Sequence, residues 1–177
     1  MHLGHWKKIK QINELQNKWW TYRTDEIELP SGKPGEYHYV HTNGSSLVVP
    51  VTGEGKIIMV RQYRYLAERD SLEFPCGSVK NGSSYEETAK LEFAEEAGVE
   101  AGEIFLAGRF NPYNGVTDEM CNVYVVRGLK DVFVPHDDTE EFEKVTLPIS
   151  EVESKIKSNE IWDGMSLAAW LIAKDHL

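Results

Sequence analysis

GSVKNGSSYEETAKLEFAEEAGV, residues 77–99, decides how this chain is read. It is a glycine-containing loop running into a helix. Thr88 to Ala97 holds neither glycine nor proline, and Gly98 stands where a helix C-terminus favours one. The last two turns carry Glu92, Glu95 and Glu96. Side chains three and four apart share a helix face, so these carboxylates are expected to converge. Like charges so placed repel one another, and most such runs are solvated faces. A divalent cation changes the sign of that energy, because hard ions such as Mg²⁺ take oxygen ligands from a few carboxylates and from substrate phosphates.

Composition bounds what surrounds this stretch. The 177 residues suit one domain of about 130 residues and an N-terminal appendage. A hydrophobic content of 41%, with 11% aromatic, is enough for a core. No apolar run approaches the ~18 residues of a membrane span, and the first twenty residues lack a secretory pattern. No membrane partner is expected, and the cytoplasm is the default setting. Cys76 and Cys121 are far apart with no CxxC, which implies neither a disulfide scaffold nor a zinc knuckle. The formal net charge of −10 argues against a nucleic-acid partner, which calls for a basic face. A pyrophosphate substrate in so acidic a protein would need metal ions to invert the local field.

Outward from the helix, residues 1–18 read as a short helix or arm, with Ile9, Ile12 and Leu15 at helical spacing. Trp19 to Leu29 and Glu36 to His41 read as a hairpin about the turn signals at 30–35. Adjacent Trp19 and Trp20 would then face opposite sides, one in the core and one free for a planar ligand or a second subunit, unless both are core. Leu47–Thr52 and Lys56–Tyr65 read as a strand pair, with Pro50 marking an edge or bulge. Arg61 and Arg64 are read as sharing a strand face, suited either to phosphate oxygens or to ordinary surface pairs. Two strands, Glu103–Phe110 and Cys121–Val126, flank a loop at 111–119 that carries Asp118 and Glu119 and is long enough to be functional. An acidic run at 137–143 leads into a strand at 142–147. Helices follow from Pro148 and, capped by Asp163, through Leu177. Strands around a central helix, then two more helices, imply a mixed sheet sandwiched by helices, α/β or α+β.

Gly77, Glu92, Glu95-Glu96, Gly98 and Val99 fall on the box G-x5-E-x7-R-E-U-x-E-E-x-G-U (U apolar), so the chain resembles the Nudix hydrolases. Two positions depart: the box's first Glu falls at Ser83 and its Arg at Leu91. In the family these two brace the loop against the helix. Losing both leaves no stranded charge, so the departure reads as a change of scaffold. VRQYRY at 60–65, SLEFPCG at 71–77, YNGVTDE at 113–119 and DDTEEFE at 137–143 are similar to the ADP-ribose pyrophosphatase and nucleoside-diphosphate-sugar branch.

That resemblance implies a Nudix α/β/α sandwich over residues 46–177. Before it, residues 1–45 would form a small antiparallel β-domain that serves dimerisation and base binding. It implies metal ligation by Glu92, Glu96 and the Cys76 carbonyl, with Glu95 sharing or bridging, for two or three Mg²⁺ ions, or Mn²⁺ in their place. Arg64 would hold the diphosphate with Glu73 close by. Glu119 would align or deprotonate the attacking water, and Trp20 or Tyr22 would stack on the base. The implied assembly is a homodimer acting on a nucleotide sugar. A non-hydrolytic nucleotide-sugar binder, or a hydrolase of dinucleoside polyphosphates or modified triphosphates, are the alternatives.

Overall fold

A computed structural model describes residues 3–134 and 141–177; the part of the acidic run at 137–140 lies outside the described residues. The fold divides into two compact units. The first comprises the residues up to Asn43 together with Asn111–Glu119, and the second Gly44–Phe110 with Met120–Leu177.

The first unit is an antiparallel sheet in the order β1 (Lys7–Gln16), β2 (Thr21–Glu28), β3 (Pro34–His41). β1 is a strand where helical spacing had suggested a helix. Its pairing with β2 slips by one residue between Lys8 and Lys10 and again between Gln11 and Asn13, leaving Ile9 and Ile12 as bulge residues. Each bulge adds one residue to the strand's two-residue repeat, so apolar residues recur every third position and imitate helical periodicity. Every residue of β1 is exposed. Cross-strand ion pairs line it: Lys7–Glu28 at 2.9 Å, Lys8–Asp25 at 2.8 Å and Arg23–Glu14 at 2.8 Å. Trp19 and Trp20 do not begin β2 as expected. They sit in the turn before it, where Asn17 Oδ1 accepts from both their amides, and neither is core.

In the second unit, β4 (Ser45–Pro50) and β5 (Lys56–Arg64) are followed by β6 (Arg69–Glu73) and β7 (Cys76–Ser78). Helix α1 (Tyr85–Ala97) leads to β8 (Val99–Glu100), β9 (Glu103–Phe110), β10 (Cys121–Arg127), β11 (Lys130–Asp131) and β12 (Glu143–Pro148). Helices α2 (Ile149–Lys157) and α3 (Gly164–Ala173) complete it. One sheet runs β7-β4-β10-β9, mixed because β4 and β10 are parallel, and a second runs β12-β5-β6. β4 and β5 are therefore not a hairpin pair; they lie in different sheets, joined by a single bridge at Val51–Ile57. Pro50 sits beyond the reach of β7, which pairs only with Ser45–Leu47, so its missing donor interrupts no ladder.

Alternate residues of β4 and β5 enter opposite cores. Leu47, Val49, Ile57 and Met59 pack with Val152 of α2 and Trp170 of α3. Val48, Ile58 and Val60 pack with Ala89 and Phe93 of α1. Burial on both faces explains the unbroken apolar runs and makes the sheets the filling of a helical sandwich, as the sequence implies. Asp163 caps α3 by accepting from Ser166 N at 2.7 Å, but the helix ends at Ala173 and continues only as a 3₁₀ turn over Lys174–His176. Among the described residues no helix is long and apolar enough to cross a membrane.

α1 is closed at both ends by local chemistry. Ser84 Oγ accepts from Glu87 N at 3.1 Å while the Glu87 carboxylate accepts from Ser84 N at 2.8 Å, a reciprocal capping box. Gly98 takes the left-handed conformation at φ 64° that ends the helix. The Ser84 amide and then its hydroxyl hold the Glu87 carboxyl below its ordinary value. A lowered folded-state value means the carboxylate half of the box is complete above the usual carboxylate range and is lost as pH falls through the lowered value, while the bond from Glu87 N to Ser84 Oγ persists. Ser84→Ala removes the side-chain cap and should lower the denaturant midpoint at neutral pH. That difference should shrink as acid protonates Glu87.

Candidate functional site

The loop–helix junction places a carboxylate-bearing helix face directly against the backbone of β7. Ser46 Oγ donates to Tyr85 O at 2.6 Å and ties the first turn of α1 to β4. At the other end the Cys76 amide donates to Glu96 Oε2 at 3.1 Å, and Glu96 is buried at 8% exposure. Gly77 sits so close to the helix that a β-carbon there would occupy the position of the Glu92 carboxylate. Glycine at 77 thus leaves room for the Glu92 carboxylate, which any β-carbon there would push aside.

The three box glutamates share the expected face but are not drawn to one point. Glu96 turns onto the Cys76 amide and Glu92 fills the space over Gly77. Among the described residues no three His, Cys, Asp or Glu side chains form a ready cage for a cation. The oxygen donors beside Cys76 and Gly77 nonetheless fit a hard divalent ion. Such ions retain water and complete their shell with substrate oxygens, so a preformed all-protein cage is not needed. Ser83 and Leu91, where the box has its bracing pair, are exposed and uncharged. The Ser84–Glu87 capping box closes the same junction, and its S-x-x-E pattern is a sequence signal that the motif reading passed over.

Arg61 and Arg64 do not share a face. They are three residues apart, so the two-residue repeat of β5 separates them. Arg61 pairs with Glu143 at 2.9 Å, whereas Arg64 forks onto Glu73, its Nε donating to Oε1 at 2.7 Å and its Nη2 to Oε2. Glu73 is only 3% exposed and also accepts from Gln62 Nε2 at 3.5 Å. The Glu73 carboxylate raises the Arg64 pKa further above its already high value. With Nε and one Nη2 proton engaged, Arg64 keeps three N–H donors for another anion. Glu73 thereby fixes the plane of a guanidinium that remains half-exposed.

The other predicted residues lie in the first unit. Trp20 is presented at the β1–β2 turn with 45% exposure. Tyr22 is half-buried, its hydroxyl 2.7 Å from His38 Nδ1 and its ring stacked on that imidazole at 6.1 Å. Glu119 ends the 111–119 loop. Its amide donates to Thr117 Oγ1 at 3.1 Å, and its carbonyl accepts from Asn111 Nδ2 at 2.7 Å. Asn111 was not singled out from sequence; it clasps the loop by donating also to Thr117 O at 3.1 Å. These bonds fix its amide orientation, and its Oδ1 is buried with no partner.

Comparison with known proteins identifies the family and the fold. The family model for the NUDIX domain matches residues 41–168. The methanol dehydrogenase activator of Bacillus methanolicus is 32% identical over 165 residues, covering 92% of this chain and 89% of that protein. The ADP-ribose pyrophosphatase of Bacillus subtilis (strain 168) is 32% identical over 147 residues, covering 82% and 80%. A crystal structure of an ADP compounds hydrolase superposes with a TM-score of 0.86 over 100% of this chain and 96% of that one. At 19% identity that likeness speaks to the fold.

Gly77→Ala tests the packing of Glu92. The added methyl should displace the carboxylate and weaken Mn²⁺ binding at least about tenfold in calorimetry, since supporting-shell changes typically cost that much. Circular dichroism should remain that of the wild type.

Proposed function

The chain belongs to the Nudix hydrolases, and we propose that it cleaves the diphosphate linkage of a nucleoside diphosphate joined to a sugar, of the ADP-ribose type. The products are a nucleoside monophosphate and a sugar phosphate. The observation that carries this reading is the docking of the Glu92–Glu96 face on the Cys76–Gly77 backbone, and the ADP-ribose pyrophosphatase among its relatives supports the substrate class.

A diphosphate resists water chiefly because its anionic oxygens repel the nucleophile. Glu92, Glu95, Glu96 and the Cys76 carbonyl would hold the divalent ions, Mg²⁺ or Mn²⁺, which supply charge neutralisation and an acidified water. Arg64, oriented by Glu73, would bind phosphoryl oxygens through its remaining N–H groups. Glu119 would accept the proton of the attacking water. The water displaces one phosphoryl group from the other in line. Trp20, the more exposed of the two aromatic candidates, would stack on the base, since the Tyr22 hydroxyl is already engaged by His38. A second copy of the chain, covering exposed Ile9, Leu15 and Trp19, would complete a homodimer. Two cysteines far apart in sequence, with no CxxC spacing, suit a cytoplasmic setting.

The direct test is phosphate release, coupled through alkaline phosphatase, from ADP-ribose, GDP-mannose, UDP-glucose and diadenosine polyphosphates with Mg²⁺ or Mn²⁺. One diphosphate sugar should be cleaved in a metal-dependent way. Glu96→Gln should abolish that cleavage, and silence across the whole panel would refute the reading. Glu119→Gln should still bind metal but lose at least about a hundredfold in turnover, the scale of a missing general base. Glu73→Gln keeps Arg64 in place but removes the charge that holds it, so KM should rise by about tenfold with a smaller change in kcat.

A further inference from the structure

The 111–119 loop is built into the same compact unit as the N-terminal sheet, and its attachment is specific. Val40 N donates to Val116 O at 2.8 Å, Tyr37 Oη donates to Gly115 O at 3.1 Å, and Val40 and Thr117 form a parallel bridge. Main-chain pairing weakens just before Glu119, where Asp118 N reaches Val40 O at 3.3 Å. There a side chain takes over. Asp118 Oδ2 lies 2.6 Å from His41 Nδ1, and Asp118 Oδ1 accepts from Thr42 N at 3.3 Å. A carboxylate only accepts, so His41 donates through Nδ1–H. The next residue, Glu119, is pinned on its other side by Asn111 and Thr117.

We propose that Asp118 is a positioning residue: by bonding His41 and the Thr42 amide it anchors the loop to the end of β3 and thereby fixes where Glu119 stands. The inference rests on Glu119 acting on the attacking water. It also separates two neighbouring carboxylates that spacing alone leaves equivalent. Both oxygens of Asp118 are committed to the sheet, which suits it to holding the loop and not to taking a proton. The pair is partly exposed, so its value lies in geometry more than in stability. Displacing a catalytic group by about 1 Å can cost about a hundredfold in rate.

The test compares Asp118→Ala, Asp118→Asn and Glu119→Gln in the full chain, with ADP-ribose and Mg²⁺ for turnover and amide hydrogen exchange for loop anchoring. Asp118→Ala should speed exchange at the Val40 and Glu119 amides and lower kcat by about 10- to 100-fold, with KM within about threefold of the wild type. Asp118→Asn, with its carbonyl accepting from the Thr42 amide and its Nδ2 donating to Nδ1 of the other His41 tautomer, should recover most of both losses. Unchanged exchange in Asp118→Ala would overturn the proposal. So would an Asn variant as inactive as the Ala variant, since that outcome makes Asp118 itself the proton acceptor. Wild-type turnover in Glu119→Gln would sink the assignment of Glu119 as base. A loss in Asp118→Ala rescued by Asn would then still show the loop anchored for catalysis. Should no substrate be cleaved, the functional reading falls, while the exchange measurement still decides whether Asp118 anchors the loop.

Discussion

A helix face carrying glutamates is pressed against a strand backbone, and much of the second unit exists to make that contact tolerable. Burying the Glu96 carboxylate would be unfavourable without a donor, and the Cys76 amide supplies one. Glu92 can come as near only because residue 77 lacks a β-carbon. The attraction that seats the helix comes from the adjoining stripe, where Phe93 is 1% exposed and Ala89 and Ala97 pack with apolar residues of β4 and β5. Burial of a side chain such as Phe93 contributes about 1.5–3 kcal/mol, enough to offset crowded charge nearby. The cap at Ser84 and the left-handed Gly98 fix where the helix starts and stops, and so which carboxylates meet β7.

Elsewhere the same logic recurs: an ionised group that must be held in one orientation is held by hydrogen-bond donors. Glu73 is almost completely buried and forks onto Arg64, leaving part of the guanidinium outward. Asp118 is bound by His41 and the Thr42 amide, leaving Glu119 at the end of a clasped loop. In each case one charge gives up its freedom to direct its neighbour. For a protein of net charge −10, such pairing also keeps neighbouring carboxylates from repelling one another. Along β1 and β2 the carboxylates of Glu14, Asp25 and Glu28 are held in cross-strand ion pairs.

Much of this was legible in the sequence because it depends on short-range spacing. The box helix, its C-terminal glycine, the Asp163 cap, the 111–119 loop and the doubly buried strands all follow from residues within a turn or a strand of one another. Where spacing is ambiguous, the sequence misleads. Ile9, Ile12 and Leu15 repeat every third residue, a pattern shared by a helix and by a strand with a bulge at each step, and only pairing with β2 selects the strand. The kinship of Arg61 and Arg64 fails for a different reason: three residues apart on a strand, they fall on opposite faces, and each finds its own carboxylate.

The sequence by itself determined that a glutamate-bearing helix would follow a glycine loop inside an α/β sandwich, and which residue types would be available for phosphate and metal chemistry. Local backbone preference and hydrophobic period are properties of contiguous residues. The tertiary structure alone decided which acid meets which partner: Glu96 the Cys76 amide, Glu73 Arg64, Asp118 His41. These partners are separated by 9 residues for Glu73 and Arg64, 20 for Glu96 and Cys76, and 77 for Asp118 and His41, and a hydrogen bond has no preference among such donors until strand pairing and core packing bring one of them within about 3 Å.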